Sequence, residues 1–266
     1  MSSANKPVAV VTGGSSGIGR AAAARFAQAG YLVCELSRSG SDMPGVRHLT
    51  ADITDEQSVI AAFRQIMEEY GRIDVLVCNA GSGISGAVEF TEVEDAKKLF
   101  DVNFFGVLRC IRAAVPTMRA QQSGSIVCLS SVAAPLAIPY QAFYSASKAA
   151  VNDLVLALRC ELRRFGIRVS GVMPGDAKTG FTASREKSEV GNDVYGGAIA
   201  RAVSAMEKDE QSGMTPDAVA KKIFRAATAK RPRPFYVAGG KYRLFLFLNR
   251  LLPSSAVNRV IGKLYG

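Results

Sequence analysis

The sequence predicts an α/β fold, a doubly wound parallel sheet of about seven strands with helices on both faces, and three observations lead to it. Short apolar runs of strand length alternate with longer segments of helical period along most of the chain. The first run, Val8-Ala9-Val10-Val11, leads straight into the glycine-rich stretch Thr12-Gly13-Gly14-Ser15-Ser16-Gly17-Ile18-Gly19, and a helical pattern begins at Arg20. The chain has 266 residues, 48% of them apolar, which is enough to bury one sizeable core. Residues 1–266 therefore read as a single domain, without internal repeats or low-complexity tracts.

Taken in order, strands are expected at residues 8–11, 32–36, 46–49, 75–78, 126–129, 167–172 and 235–237, with helices filling the intervals. The stretch 176–215 carries no strand signal. Its mixed polar and helical pattern suits a lid over a bound substrate, with a rigid surface excursion as the alternative.

Glycines at a strand-to-helix turn let the backbone approach a pyrophosphate closely, and the helix that follows offers unpaired amide donors and a favourable dipole. Gly13, Gly17 and Gly19, with Ser15, Ser16 and Ile18 among them, therefore mark a candidate dinucleotide site. Their spacing is Gly-x-x-x-Gly-x-Gly and not the Gly-x-Gly-x-x-Gly fingerprint, so the mechanism carries over while that pattern does not. Tight packing alone is the other reading of such a turn.

A helix over Tyr144-Ser145-Ala146-Ser147-Lys148 stacks its tyrosine and lysine one turn apart on one face. A phenol with a pKa of about 10 is a poor acid or base at neutral pH, and a fixed positive charge beside it favours the phenolate. Any exposed helix can carry the same pair without chemistry, so the spacing needs company.

Company comes from the rest of the chain. Asp52 follows the third strand, Asn79-Ala80-Gly81 the fourth, and Asn103 stands in Asn103-Phe104-Phe105-Gly106. Ser130-Ser131 follows the fifth strand, and Pro174-Gly175 leads to Thr179. Alone, Asp52 could cap the helix entered at Asp55-Glu56, and Asn79 could be a turn residue. As an ordered set with the glycine turn, Tyr144 and Lys148, they make the chain resemble the short-chain dehydrogenase/reductase family in its short single-domain form. The resemblance runs almost end to end and implies a Rossmann-like sheet. It also implies cofactor contacts at the glycine turn, Asp52, Ile53, Asn79, Ala80, Gly81, Tyr144, Lys148, Pro174, Gly175 and Thr179.

Hydride transfer to a carbonyl leaves negative charge on oxygen, so the site needs a proton donor and a second donor to hold that oxygen. Tyr144 can supply the proton and Ser131 the second bond. The resemblance assigns them these roles and gives Lys148 two more, lowering the phenol pKa and bonding the nicotinamide ribose. Ser131 is preferred to Ser130 for its separation from the tyrosine, which leaves Ser130 as a strand-end residue. Asn103 would, by the same resemblance, kink its helix and hold a water in a proton relay to Lys148; a cap or turn is its other reading.

Cofactor choice turns on Cys34-Glu35-Leu36-Ser37-Arg38. An NAD-preferring member would carry an acid where Ser37 stands. Arg38 can form charge-assisted bonds to an adenosine 2′-phosphate, with Ser37 as a further donor, so NADP(H) is expected. A solvated Arg38 is the alternative, and Glu35 in the same strand bears on the register.

The substrate walls would come from residues 82–85, 132–139 and the stretch beyond Gly175. Ala133 and its neighbours to Ile138 bring no charge, and Phe181 and Tyr195 are candidates to cover the site. The expected pocket is apolar, for a steroid, retinoid or other lipid ketone, with a small xenobiotic ketone also fitting. A nucleotide-binding sensor or scaffold without turnover is the alternative function, against which the set Asn103, Ser131, Tyr144 and Lys148 speaks.

Five cysteines, Cys34, Cys78, Cys110, Cys128 and Cys160, show no paired spacing and read as small core hydrophobes. With no apolar secretion segment in residues 1–6, a cytoplasmic protein is expected. The single histidine, His48, excludes a multi-histidine metal site, and no metal is expected; its reading as a polar residue near the end of the third strand leaves no base for a serine–histidine hydrolase.

The net charge of +10 has an uneven origin. Residues 218–266 hold 11 Lys or Arg and no Asp or Glu, leaving 22 of the 33 basic residues against all 23 acidic ones in the chain before them. Apolar residues from Leu244 to Leu264 interleave with those charges. A segment of this kind, 241–266, can lie at an anionic membrane as a peripheral contact, join subunits, or cover the substrate cleft. A homodimer or homotetramer is expected, and no nucleic-acid partner, since no recognition module accompanies the basic surface.

Overall fold

The computed structural model describes residues 6–266. The reading of the N-terminal segment as free of a secretion signal therefore falls, for residues 1–5, outside the described residues.

Strand and helix alternate through the first half: β1 (Val8–Thr12), α1 (Gly17–Gln28), β2 (Leu32–Ser37), β3 (Val46–Thr50), α2 (Glu56–Tyr70), β4 (Val75–Cys78), β5 (Ile84–Ser85), α3 (Val93–Phe100) and α4 (Gly106–Ala120). Next come β6 (Gly124–Leu129), α5 (Ala133–Leu136), α6 (Ala142–Glu161), β7 (Ile167–Pro174), α7 (Phe181–Ser184), β8 (Glu186–Lys187) and α8 (Ala198–Gln211). The chain ends with α9 (Pro216–Thr228), β9 (Phe235–Ala238), α10 (Gly240–Leu251) and α11 (Ser254–Tyr265).

The central sheet has seven strands in the order β3-β2-β1-β4-β6-β7-β9, and every neighbouring pair in it is parallel. Parallel strands buried on both faces read as apolar runs, which made the inner strands visible in the sequence, while the edge strands β3 and β9 are only partly buried. The side chains of β1 divide the core between the two faces. Val8 and Val10 join Phe63 and Ile66 of α2, Ile111 and Met118 of α4, and Val151 and Val155 of α6. Ala9 and Val11 join Phe26 of α1 and Ile223 of α9 on the other side. The winding reverses between β1 and β4, and the crevice beyond the carboxyl ends of strands at such a point is where this architecture binds ligands.

Local signals set the helix ends. The carboxylate of Asp55, not that of Asp52, caps α2 by accepting from the Gln57 amide at 3.0 Å. Thr215 caps α9, with Pro216 in its first turn.

Three expectations need correction. The stretch 176–215 does contain a strand, β8, which pairs with β5 in a separate two-stranded sheet. Two-residue strands are too short to show a period. Four cysteines are buried as expected, but Cys160 is exposed on α6. Tyr195 packs against Phe90 and Tyr140, at ring separations of 6.3 and 6.1 Å, and is not among the residues lining the site.

Candidate active site

A cleft of about 900 Å³ opens beyond the carboxyl ends of the central strands and gathers almost all the residues that the sequence singled out. At one end is the turn between β1 and α1, where Gly13, Ser15, Ser16, Gly17 and Ile18 line the cleft. Gly13 has φ of +64°, and a Cβ there would stand 2.9 Å from the Ala80 Cα, so only glycine fits. Gly19 does not line the cleft; it packs against the Gly13 carbonyl and the Asn79 side chain, with no room for a Cβ. Ser16 leaves the first amides of α1 without a side-chain cap, and no acidic residue stands in that first turn. Open amides over a tight backbone cradle fit the pyrophosphate of a dinucleotide.

Asn79 is tied to the same turn, its Nδ2 donating to the carbonyls of Thr12 at 2.9 Å and Gly13 at 3.1 Å. The Thr12 hydroxyl accepts from the amides of Asn79 and Ala80. Ala80 and Gly81 continue the wall, as do Asp52, Ile53, Pro174, Gly175 and Thr179. The Asp52 carboxylate accepts from the Thr54 amide and hydroxyl; the amide bond is the main cause holding its pKa below the ordinary carboxylate value. Arg38 is exposed at the rim beside Ser37. The Ser37 hydroxyl is already engaged, 3.1 Å from the Glu35 carboxylate and 3.0 Å from the Ser39 carbonyl. Glu35 is buried opposite Val11 of β1 and also meets His48, so the register puts Ser37 at the strand end and Glu35 beneath it.

Deeper in the cleft, Ser131, Tyr144 and Lys148 come together from the end of β6 and the start of α6. Ser131 Oγ accepts from the Ala133 amide at 3.1 Å. Ser130 instead donates to the Lys148 carbonyl, tying the strand end to α6. Asn103 sits behind the cleft wall in a π-helical turn, Asp101–Phe105, so the helix is distorted where the resemblance implied a kink. Its side chain clamps Ser82, accepting from the amide at 2.8 Å and donating to the carbonyl at 3.0 Å, and also donates to Ser147 Oγ at 3.1 Å. Gly81 lies between Asn103 and Lys148: a Cβ on it would stand 3.1 Å from Asn103 Oδ1 and 3.3 Å from Lys148 Nζ.

The substrate side is more polar than the sequence suggested. Ala133 and Phe181 line it as expected, with the Phe181 ring 5.7 Å from that of Tyr144. Arg185, Asp176, Asp209 and Glu210 also line it; all four fall in the stretch 176–215, but none of these residues was singled out. Arg185 is 4% exposed, pairs with Glu210 and lies over the Phe181 ring. The hydroxyls of Tyr242 and Tyr265 donate to Asp176 and Asp209, so both C-terminal helices are fastened to the cleft. Phe245, Leu248, Leu252, Val260 and Leu264 complete an apolar mouth. Of the three fates open to 241–266, covering the cleft is therefore the one seen in a single chain.

Residues 7–190 match the family model described as short chain dehydrogenase. The chain belongs to the short-chain dehydrogenase/reductase family. It is 40% identical over 243 residues to a 3-ketodihydrosphingosine reductase of Bacteroides thetaiotaomicron, covering 90% of each chain. Among solved structures, a short-chain dehydrogenase/reductase of Burkholderia phymatum in complex with NAD is 26% identical, with a TM-score of 0.78 over 94% of both chains. ElxO with NADP bound is 27% identical, with a TM-score of 0.74 over 90% of this chain and 99% of that one. A nicotinamide cofactor and oxidoreductase chemistry follow from the family.

In this short-chain dehydrogenase burial acts on both Tyr144 and Lys148. Burial pushes the Tyr144 phenol above its ordinary value, while the Ser131 hydroxyl and the Arg185 charge pull it down. Burial brings Lys148 itself down to about 8, and its ammonium is committed to the Leu129 carbonyl at 3.1 Å.

Proposed function

We propose that this protein transfers hydride between NADP(H) and the ketone or alcohol carbon of an amphiphilic, lipid-like substrate. The observation that carries the reading is the continuity of the cleft, which runs from the glycine turn past Tyr144 to the apolar mouth formed by the C-terminal helices. When bound, the nicotinamide gives or takes the hydride. Tyr144 passes its proton to the carbonyl oxygen as charge builds there, and Ser131 holds that oxygen by a second hydrogen bond. Lys148 bonds the ribose, and Asn103 holds the water that connects Lys148 to solvent. Arg38 meets the adenosine 2′-phosphate, with the Ser37 hydroxyl turning away from Glu35 to join it.

The similarity to a 3-ketodihydrosphingosine reductase supports a lipid ketone. The charges of Arg185, Asp209 and Glu210 beside Phe181 suit a polar head on that lipid, with its chain leaving along Phe245, Leu248 and Leu252. The segment 176–215 acts as the lid. The working unit is a homodimer or homotetramer in a reducing, cytoplasmic setting where the thiols stay free.

Consumption of NADPH and NADH with a panel of steroid ketones, retinal and long-chain ketones tests this reading. Turnover of a long-chain ketone with NADPH preferred is expected. Turnover confined to short hydrophilic carbonyls, or none with either cofactor, overturns it.

A further inference from the structure

Helix α10 is unusual in this molecule because it is rich in large apolar residues and none of its residues is buried. Its inner face is accounted for. Tyr242 and Asn249, two turns apart, reach Asp176 and the Pro135 carbonyl, and Phe245 and Leu248 line the cleft. The opposite face is Leu244, Phe247 and Leu251, a stripe at helical spacing that is 60%, 58% and 65% exposed and forms no part of the cleft wall. Sixteen large hydrophobic residues are exposed among the described residues, and eight of them fall between Leu244 and Leu264, so this is a patch and not scatter.

Charge frames the patch. Arg243 and Arg250 run along one flank of the stripe, and Arg259 and Lys263 are exposed on the adjoining α11. No acidic residue occurs anywhere from 218 to 266. A helix that is apolar outside as well as inside needs a covering phase. A second copy of the chain docking by this face across a two-fold axis would bring the same arginines toward each other, whereas anionic headgroups complement them. The 12 residues of α10 are too few to span a bilayer, and no described helix is long and apolar enough to cross one.

We propose that Leu244, Phe247 and Leu251, flanked by Arg243 and Arg250, dock the protein on an anionic lipid surface. The helix lies in the interfacial plane on this outer face, which brings the mouth behind it, lined by Phe245, Leu248 and Leu252, up to the lipid surface. A lipid ketone then enters from the bilayer without crossing water. This delivery step rests on the lipid-ketone reading; the docking does not.

The test is sedimentation of the full chain with vesicles of phosphatidylcholine alone and of phosphatidylcholine mixed with phosphatidylserine. Binding to the mixed vesicles is expected, reduced by added salt and weakened on the order of tenfold or more by Arg243→Gln with Arg250→Gln. The variant Leu244→Ser, Phe247→Ser, Leu251→Ser should lose binding while keeping NADPH affinity and the parent's oligomeric state. Failure of the parent to bind the mixed vesicles, or equal binding by both variants, overturns the proposal. So does a triple variant that dissociates into smaller units while the parent shows no vesicle binding, which makes the face a contact between copies. Variant-sensitive vesicle binding without turnover of any lipid ketone supports the docking and counts against the lipid-ketone reading alone.

Discussion

The ammonium of Lys148 lies 5.9 Å from the centre of the Tyr144 ring and donates to the Leu129 carbonyl at 3.1 Å. Two titratable groups are thus held close together in a buried site, each with its charged form disfavoured by burial. Their separate consequences for catalysis and stability can be measured.

Tyr144→Phe removes the proton donor and keeps the ring that packs on Phe181. Turnover is expected to fall by about 10²–10⁴-fold with NADPH affinity little changed. The raised phenol pKa gives the parent a sign-specific profile. The protonated donor persists through neutral pH, so kcat/KM for reduction stays level there and falls only as the phenol ionises on the alkaline side of 10.0. Oxidation, which needs the phenolate, rises over that same range. A Phe variant with near-parental turnover removes Tyr144 from the mechanism.

Lys148→Met is expected to inactivate the protein and stabilise its cofactor-free form. The folded pKa of about 8 lies below the ordinary 10.5, so at neutral pH the fold carries a buried cation that the unfolded chain hydrates freely. The unfolded state binds more protons between those two values, and the cost of the lysine is therefore relieved as pH rises from about 8 to 10.5. Urea unfolding at neutral pH should show the variant more stable by about 1–3 kcal/mol, less the lost Leu129 hydrogen bond. The difference should narrow above about pH 8, as the parent's lysine discharges on folding.

What the sequence revealed and what it hid divide along physical lines. The inner strands of the central sheet were legible because each is a run of mostly buried residues, and the glycine turn because a positive φ at Gly13 demands that residue. The motif residues around Tyr144 were legible because they stand close together or in a fixed order along the chain. Arg185 and Glu210 were not, since their contact spans 25 residues and exists only once α7 and α8 pack together. The same holds for Tyr242 on Asp176, 66 residues apart. The tail's basic, apolar composition was visible at once, but which of its faces turns inward was decided by the tyrosine and asparagine contacts that fasten it.

Cofactor preference gives a third prediction. Ser37→Asp with Arg38→Leu should reverse a preference for NADPH, because the new carboxylate repels a phosphate and accepts from a free ribose hydroxyl. Loss of one charge-assisted contact is worth about 1.5–3 kcal/mol, so NADPH affinity should fall on the order of ten- to a hundredfold. Fluorescence titration with both cofactors checks this. Equal affinities in the parent would show Arg38 to be a solvated rim charge.

The last prediction concerns Arg185, whose guanidinium is buried against Phe181 and pairs with Glu210, while Glu210 also accepts from the Thr182 hydroxyl at 2.6 Å. Arg185→Met leaves Glu210 in the cleft wall without its counter-ion, which is expected to cost about 3–5 kcal/mol in urea unfolding. Adding Glu210→Leu should recover much of that loss, because the second change removes the stranded carboxylate. Catalysis should separate the two effects. Arg185 lowers and Glu210 raises the Tyr144 phenol, so Arg185→Met alone should move the alkaline limb of oxidation to higher pH, and the double variant should move it back toward the parent. A stability loss with an unchanged pH profile would make the pair a strut between α7 and α8 and nothing more. A profile that shifts in the single variant and returns in the double one makes it a tuner of Tyr144.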